Sequence, residues 1–115
     1  MTVDGDPDVA TVTDLLGDAV VRTILAATVE EPLSAAALSD RCGVSEATVY
    51  RRLQRLADHG LVEARTEPDE DGHHYKVYAA TLDRVVVDLT ADGLVVRVTR
   101  RQRMADRFTD FVEGL

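Results

Sequence analysis

The chain has 115 residues, of which 45% are hydrophobic, so it can form one domain around a single core. It contains no apolar run of about eighteen residues, and its acidic beginning lacks the basic and apolar segments of a secretory signal. We therefore expect a soluble, cytoplasmic protein without a membrane partner. The single cysteine, Cys42, excludes an intrachain disulfide and a multi-cysteine metal site, and we expect it to pack as a small hydrophobe.

Acidic residues outnumber basic residues by 21 to 13, which gives a formal net charge of −8. This balance argues against simple charge attraction to nucleic acid, for which a basic surface is expected. The basic residues are unevenly distributed, because the first fifty positions hold only Arg22 and Arg41. An acidic, lysine-poor composition also resembles that of haloarchaeal proteins, which work in concentrated salt. There the release of counterions contributes less to DNA affinity.

Residues 1–8 are predicted to be a disordered tail, since they combine glycine and proline with three aspartates. From residue 9 to 28, apolar residues recur at intervals of three and four, which indicates helix. Gly17 predicts a break into two helices, with Asp18 capping the second. Ser34 is expected to cap a third helix.

The stretch from Leu38 to Leu61 predicts two helices joined by a tight turn. Gly43 can take the left-handed conformation that ends the first helix, and the side-chain oxygen of Ser45 can cap the second. Gly60 stands where a left-handed residue would end that second helix. The sequence therefore specifies both helix ends locally.

The second of these helices has two different sides. Val49, Leu53 and Leu56 form one apolar stripe, which we expect to anchor the helix. Small, hydroxyl, aromatic and guanidinium groups occupy the other side, and such groups suit base edges and phosphates in the DNA major groove. The alternative interpretation is that the arginines only solvate an exposed helix face. The outward residues are Ala47, Thr48, Tyr50, Arg51, Gln54 and Arg55, with Arg52 on the flank.

After Gly60 the pattern changes to strands. Residues 61–66 and 74–79 are strand-like, and Pro68 and Gly72 mark a hairpin loop that is too long for a tight turn. A helix-turn-helix followed directly by such a hairpin is a winged helix. The sequence therefore predicts an α+β fold.

A second hairpin is predicted from β-branched runs on either side of Asp92-Gly93, a pair typical of two-residue hairpin loops. If those two residues form the loop, the strand register follows directly. The predicted pairs are Leu89 with Val96, Val87 with Val98, and Asp88 with Arg97 as an opposite-charge pair.

The segment 100–115 is predicted to be a helix with a wide apolar side, formed by Met104, Ala105, Phe108, Phe111, Val112 and Leu115. The first helices also carry more apolar surface than one small core requires. Docking of both surfaces onto a second copy would cover them, and packing within one chain is the alternative. The predicted dimerisation residues are Val12, Leu15, Leu16, Met104, Phe108, Phe111 and Val112.

The phrases LLGDAVVRTIL and ATVYRRL-x-x-L-x-x-x-GLVE are similar to those of winged helix-turn-helix regulators of the ArsR type. From Leu15 to the C-terminus the chain resembles the haloarchaeal members of that group. The resemblance implies a dimeric, sequence-specific transcriptional regulator whose second helix enters the major groove, whose hairpin touches the flank, and whose first and last helices pair. Metal-sensing members carry a Cys-x-Cys, whereas this chain has Cys42 alone, so no metal or other cofactor is carried over.

The wing departs from the family pattern, because family wings present arginine or lysine to phosphate. Here the loop carries the carboxylates of Glu67, Asp69, Glu70 and Asp71. Either the wing stands clear of DNA, or its carboxylates hold cations that bridge to phosphate. Adjacent histidines on a strand point to opposite faces, so a simple wing-tip pair is favoured over a metal or pH site. The groups that could still help are His73, His74 and Lys76.

The predicted function is sequence-specific binding of double-stranded DNA by a homodimer, with recognition helix 45–59 in the major groove. The alternative is a winged-helix module that docks onto proteins of a transcription complex without touching DNA. An enzyme is not expected, because the sequence has neither a glycine-rich phosphate loop nor a nucleophile beside a base. The predicted organisation is a winged helix-turn-helix over 9–81, then an extra hairpin and a dimerisation helix over 82–115. No operator or small-molecule effector can be identified. The predicted DNA-binding residues are Ser45, Glu46, Ala47, Thr48, Tyr50, Arg51, Arg52, Gln54, Arg55, His73, His74 and Lys76.

Overall fold

The computed structural model describes residues 6–101, which form four helices followed by two antiparallel hairpins. This order agrees with the predicted α+β helix-turn-helix and wing. The predicted terminal helix lies outside the described residues. Within those residues, no helix is long and apolar enough to cross a membrane. The elements are α1 Val9–Leu16, α2 Ala19–Glu30, α3 Ala35–Cys42, α4 Glu46–Asp58, β1 Val62–Pro68, β2 His74–Ala80, β3 Leu82–Thr90 and β4 Gly93–Arg100.

The helix ends lie where the capping residues predict them. The side chain of Asp18 accepts hydrogen bonds from the first turn of α2, at 2.8 and 3.3 Å. Ser34 and Ser45 cap α3 and α4 in the same way, at 3.2 and 3.1 Å. Gly43 and Gly60 both have a φ of 69°, a left-handed conformation that side chains with a Cβ disfavour. Local chemistry therefore sets the angle between α3 and α4.

The apolar stripe of α4 is the centre of the core. Val49, Leu53 and Leu56 have no exposed surface, and they pack in one cluster with residues of the other helices and of both hairpins. Cys42 packs against this cluster, and burial raises the pKa of its thiol above the ordinary 9.0. The predicted role of Cys42 as a small hydrophobe agrees with this position. The stripe fixes α4 to the body and turns its other side outward.

The folded body begins earlier than the sequence predicts. Pro7 is buried, and Asp8 caps α1 by accepting a hydrogen bond from Thr11 at 2.8 Å. The carboxylate of Asp6 pairs with Arg100 at 2.9 Å. The predicted end of the tail at residue 8 is therefore wrong for positions 6 to 8, because Asp6 pairs with a distant strand and Asp8 caps α1.

The register of the second hairpin differs from the predicted one by two residues. Leu89 pairs with Leu94 and Val87 with Val96, so the loop is Ala91-Asp92. A loop of Asp92-Gly93 would need a positive φ at Asp92, yet no non-glycine residue among positions 6–101 has one. A shift of two residues keeps every side chain on its face. Asp88 and Arg97 therefore still form an ion pair, at 3.3 Å, although they are diagonal neighbours and not direct cross-strand partners.

The apolar surface of α1 is covered within the chain. Val12 is 3% exposed and Leu15 is fully buried, and both belong to a cluster with Val96 and Val98 of β4. The prediction that Val12 and Leu15 offer a free dimer surface is therefore wrong, because the second hairpin packs against this side of α1. Leu16 is half-buried. The other predicted dimer residues, Met104, Phe108, Phe111 and Val112, lie outside the described residues.

Candidate nucleic-acid interface

The outer side of α4 is open to solvent in the described chain. Tyr50 is 45% exposed even though its neighbour Val49 is fully buried. Thr48 and Arg52 are half-buried, as expected for the flanks of the helix. Most of the α4 side chains predicted to meet DNA therefore protrude. The exposed residues are Ser45, Glu46, Ala47, Tyr50, Arg51, Gln54 and Arg55.

Hydrogen bonds order the N-terminal turn of this helix. The hydroxyl of Ser45 donates to that of Thr48 at 3.0 Å, and the guanidinium of Arg51 donates to the same Thr48 oxygen at 3.3 Å. Arg51 has no carboxylate partner among the residues described. Its charge is therefore held near the helix N-terminus and remains available to an external acceptor.

The other two arginines of α4 contact the protein itself. Arg52 donates to Asp18 at 2.7 Å, and Arg55 donates to Asp14 at 2.5 Å. Burial raises the pKa of Asp18, but the hydrogen bonds from Arg52 and from two backbone N–H groups outweigh it, so the pKa lies below its ordinary value. The sequence analysis predicted that both arginines contact DNA. Any phosphate there would have to compete with these two carboxylates.

The tip of the wing is shaped by one of its acidic residues. A carboxylate oxygen of Asp69 accepts hydrogen bonds from the backbone of Asp71 and of His73, both at 2.9 Å. Arg65, farther along the wing, pairs with Glu67. The sequence analysis considered whether Asp69 keeps the wing clear of DNA or holds a cation that bridges to phosphate, and it did not predict that Asp69 also closes the loop. His73, His74 and Lys76 are all exposed.

A groove between α4 and the wing brings together residues that the sequence prediction kept apart. Its volume is about 450 Å³, and it adjoins the N-terminus of α3. All three tyrosines of the chain line it, although only Tyr50 was predicted to contact DNA. Spacing alone gives no signal for Tyr78, because the contact depends on how β2 packs on the helices. The lining residues are Ser34, Ala35, Ala36, Glu46, Tyr50, Tyr75, Lys76 and Tyr78.

Residues 16–65 match the family model of a helix-turn-helix domain. This segment contains α2, α3 and α4 and extends into β1. Such a domain suggests a DNA-binding regulator, which agrees with the outward side of α4. No curated protein matches the chain.

Proposed function

We propose that this helix-turn-helix protein is a sequence-specific transcriptional regulator of the ArsR-like type that binds double-stranded DNA as a homodimer in the cytoplasm. The observation that carries the proposal is the division of α4 into a fully buried stripe and an exposed polar side. A helix of this kind can enter the major groove without disturbing the core. The N-terminal two-thirds of its exposed side would meet the bases through Ala47, Tyr50, Arg51 and Gln54.

The second hairpin supports a dimer. Leu89 and Leu94 are cross-strand partners, yet they are 81% and 54% exposed, and Val87 is 49% exposed on the same face. On the same face of the hairpin, Val96 is buried in the hydrophobic core. The exposed patch is therefore the part of this apolar face that the core does not cover. Exposed apolar patches of this kind mark interaction surfaces. A second copy with the same patch would cover it around a twofold axis, and the two recognition helices would read half-sites about one helical turn apart.

The experiment compares Arg51→Ala with Arg55→Ala in a gel-shift titration in KCl. Each variant is tested on a duplex selected from a random pool and on an unselected duplex. Arg51→Ala should weaken the binding free energy for the selected duplex by about 1–3 kcal/mol, because a base contact is lost. Its binding to the unselected duplex should change little. Arg55→Ala should weaken both duplexes alike. Arg97→Ala, which removes a guanidinium from the second hairpin, is the matched control and should change neither.

Equal losses for Arg51→Ala on both duplexes would reject base reading by this residue. Failure of the unmodified protein to shift any duplex would reject DNA binding as a whole.

A second candidate function is docking onto another protein of a transcription complex. The ion pairs of Arg52 and Arg55 favour it, because they neutralise two of the three cations of α4 before any nucleic acid arrives. The net charge of −8 favours it as well. Protein docking predicts a stable hetero-complex on pull-down and no gel shift of any duplex. Direct DNA binding predicts a gel shift and no such hetero-complex.

A further inference from the structure

Two of the three arginines of α4 are held by carboxylates of the first two helices, and the two ion pairs differ in character. In the first pair Asp18 uses both side-chain oxygens. One oxygen accepts from the backbone N–H groups of Val20 and Val21, and the other accepts from Arg52 at 2.7 Å. The side chains of Arg52 and Asp18 are only 33% and 25% exposed, so separating them would leave a partly buried carboxylate without its countercharge. Arg52 therefore links α4 firmly to the start of α2.

The second pair, of Arg55 and Asp14, is open to water. A guanidinium nitrogen of Arg55 lies 2.5 Å from a carboxylate oxygen of Asp14, and the two side chains are 44% and 64% exposed. Among residues 6–101, Arg55 is the only hydrogen-bond donor to this carboxylate. An exposed pair of this kind contributes little to stability, because water and salt compete with it. The guanidinium can therefore exchange one acceptor for another at small cost.

The fold holds the Asp14 carboxylate at the edge of the surface that would meet DNA. Asp14 lies in the last turn of α1, and its neighbour Leu15 is fully buried, which fixes that turn to the core. Arg55 lies one helical turn after Arg51, and both are exposed on the outer side of α4. A carboxylate and a phosphate offer a guanidinium the same kind of charged oxygen acceptor. Asp14 therefore occupies the group that a phosphate beside α4 would need.

We propose that Asp14 restrains DNA binding by holding the guanidinium of Arg55 in the free protein, and that a phosphate of the duplex displaces this carboxylate. This inference rests on the proposed function and concerns the regulation of the same surface. Arg55 changes its acceptor when DNA binds, whereas Arg52 stays with Asp18. After the exchange Asp14 remains beside the duplex as an unpaired negative charge that repels phosphate. Both effects lower the affinity, and salt weakens both.

The consequence is a DNA affinity that falls less steeply as salt is added. A cation that neutralises phosphate normally makes affinity fall with salt, because counterions are released from the DNA. For Arg55 part of this fall is offset, since salt also loosens the ion pair with Asp14 and screens the repulsion that remains after the exchange. The pair therefore lowers the affinity most in low salt and least in concentrated salt.

The test measures the affinity of the full-length protein for an unselected duplex across a series from low to molar KCl. Asp14→Asn keeps the size of the side chain and removes its charge. It should raise the affinity about two- to fivefold in low salt, and the gain should vanish towards molar KCl, so that the slope of log affinity against log salt becomes steeper. Asp88→Asn is the matched control, because it frees Arg97 from an exposed ion pair on the second hairpin, and it should change neither quantity.

A second background separates exchange from the simple removal of a negative charge. In Arg55→Ala, the further change Asp14→Asn should raise the affinity by a smaller factor than it does in the unmodified protein, because no guanidinium is left to release. The urea midpoint of Asp14→Asn should stay close to that of the unmodified protein, since the lost pair is exposed. Asp18→Asn should lower the urea midpoint without a comparable gain in affinity, because Arg52 does not exchange.

A gain in low salt that shrinks in the Arg55→Ala background would support the exchange. The same gain in both backgrounds would overturn it, since Asp14 would then act only as a repelling charge. Equal affinity of Asp14→Asn and the unmodified protein in low salt would also overturn it, and in both cases DNA binding would stand. If the unmodified protein binds no duplex at any KCl concentration, the proposed function fails and this inference fails with it.

Discussion

Arg100 ties the end of the recognition helix to the second hairpin and to the beginning of the folded chain. Its guanidinium donates to the carbonyl oxygens of Gly60 and His59, at 3.1 and 2.9 Å, and to the carboxylate of Asp6 at 2.9 Å. The two carbonyls belong to the C-terminus of α4, where helices leave such groups without partners and where a cation is favourable. Arg100→Met keeps the aliphatic stem and removes all three contacts.

The expected cost can be worked from these contacts. Hydrogen bonds that involve a charged group are worth about 1.5–3 kcal/mol each. The Arg100 side chain is 33% exposed, so water can replace part of what is lost and the ion pair adds less than about 1 kcal/mol. We therefore expect Arg100→Met to lower the free energy of unfolding by about 2–3 kcal/mol. In urea the midpoint should fall by about 1–2 M, with an unchanged slope.

Urea unfolding followed by circular dichroism measures this change. Arg97→Met is the matched control, because Arg97 lies on the same strand in an exposed ion pair with Asp88, and should cost less than about 1 kcal/mol. Hydrogen exchange of the amides of residues 59–61 should also quicken in Arg100→Met. A midpoint for Arg100→Met equal to that of the control would refute the idea that Arg100 supports the end of α4.

Three further predictions concern the turn glycines, a capping carboxylate and the dimer. Gly43 and Gly60 both have a φ of 69°, but only at Gly60 would a new Cβ meet a neighbouring guanidinium, at 3.1 Å. Gly60→Ala should therefore lower the free energy of unfolding in urea more than Gly43→Ala does. Equal losses of free energy in the two variants would contradict this. The pKa of Asp18 lies below its ordinary 3.8, so the stability it provides is present above that pH and is lost as the pH falls through the lower folded pKa. Asp18→Asn should make the free energy of unfolding depend less on pH in that acidic range. An unchanged pH dependence would rule out a contribution from the titration of Asp18. Leu89→Lys should shift the protein to monomer in sedimentation velocity while Thr99→Lys does not, and an unaltered dimer would exclude the hairpin patch as the contact.

The sequence was sufficient for features that short-range chemistry decides. Asp18, Ser34 and Ser45 cap their helices because a side-chain oxygen reaches an N–H two or three residues away. The buried stripe of α4 follows from helical periodicity alone. These local signals position the recognition helix, which is why the exposed face of the candidate interface could be predicted.

The features that were missed depend on residues far apart in the chain. Arg52 and Asp18 are separated by 34 positions, and Arg55 and Asp14 by 41, so no spacing rule relates them. The partner of Val12 is likewise a strand that forms much later in the sequence. The hairpin register was wrong for a different reason, since the prediction took Asp92-Gly93 as the two-residue loop, whereas the loop lies one residue earlier, at Ala91-Asp92.

The proposed function requires contact between DNA and the outer side of α4. The most direct measurement is a nuclear magnetic resonance titration of isotope-labelled protein with a selected duplex, following the amide signals of residues 6–101 together with the side chains of Tyr50 and Arg51. We expect the largest changes in residues 45–55. Changes confined to the second hairpin, with the signals of Tyr50 and Arg51 unmoved, would contradict it.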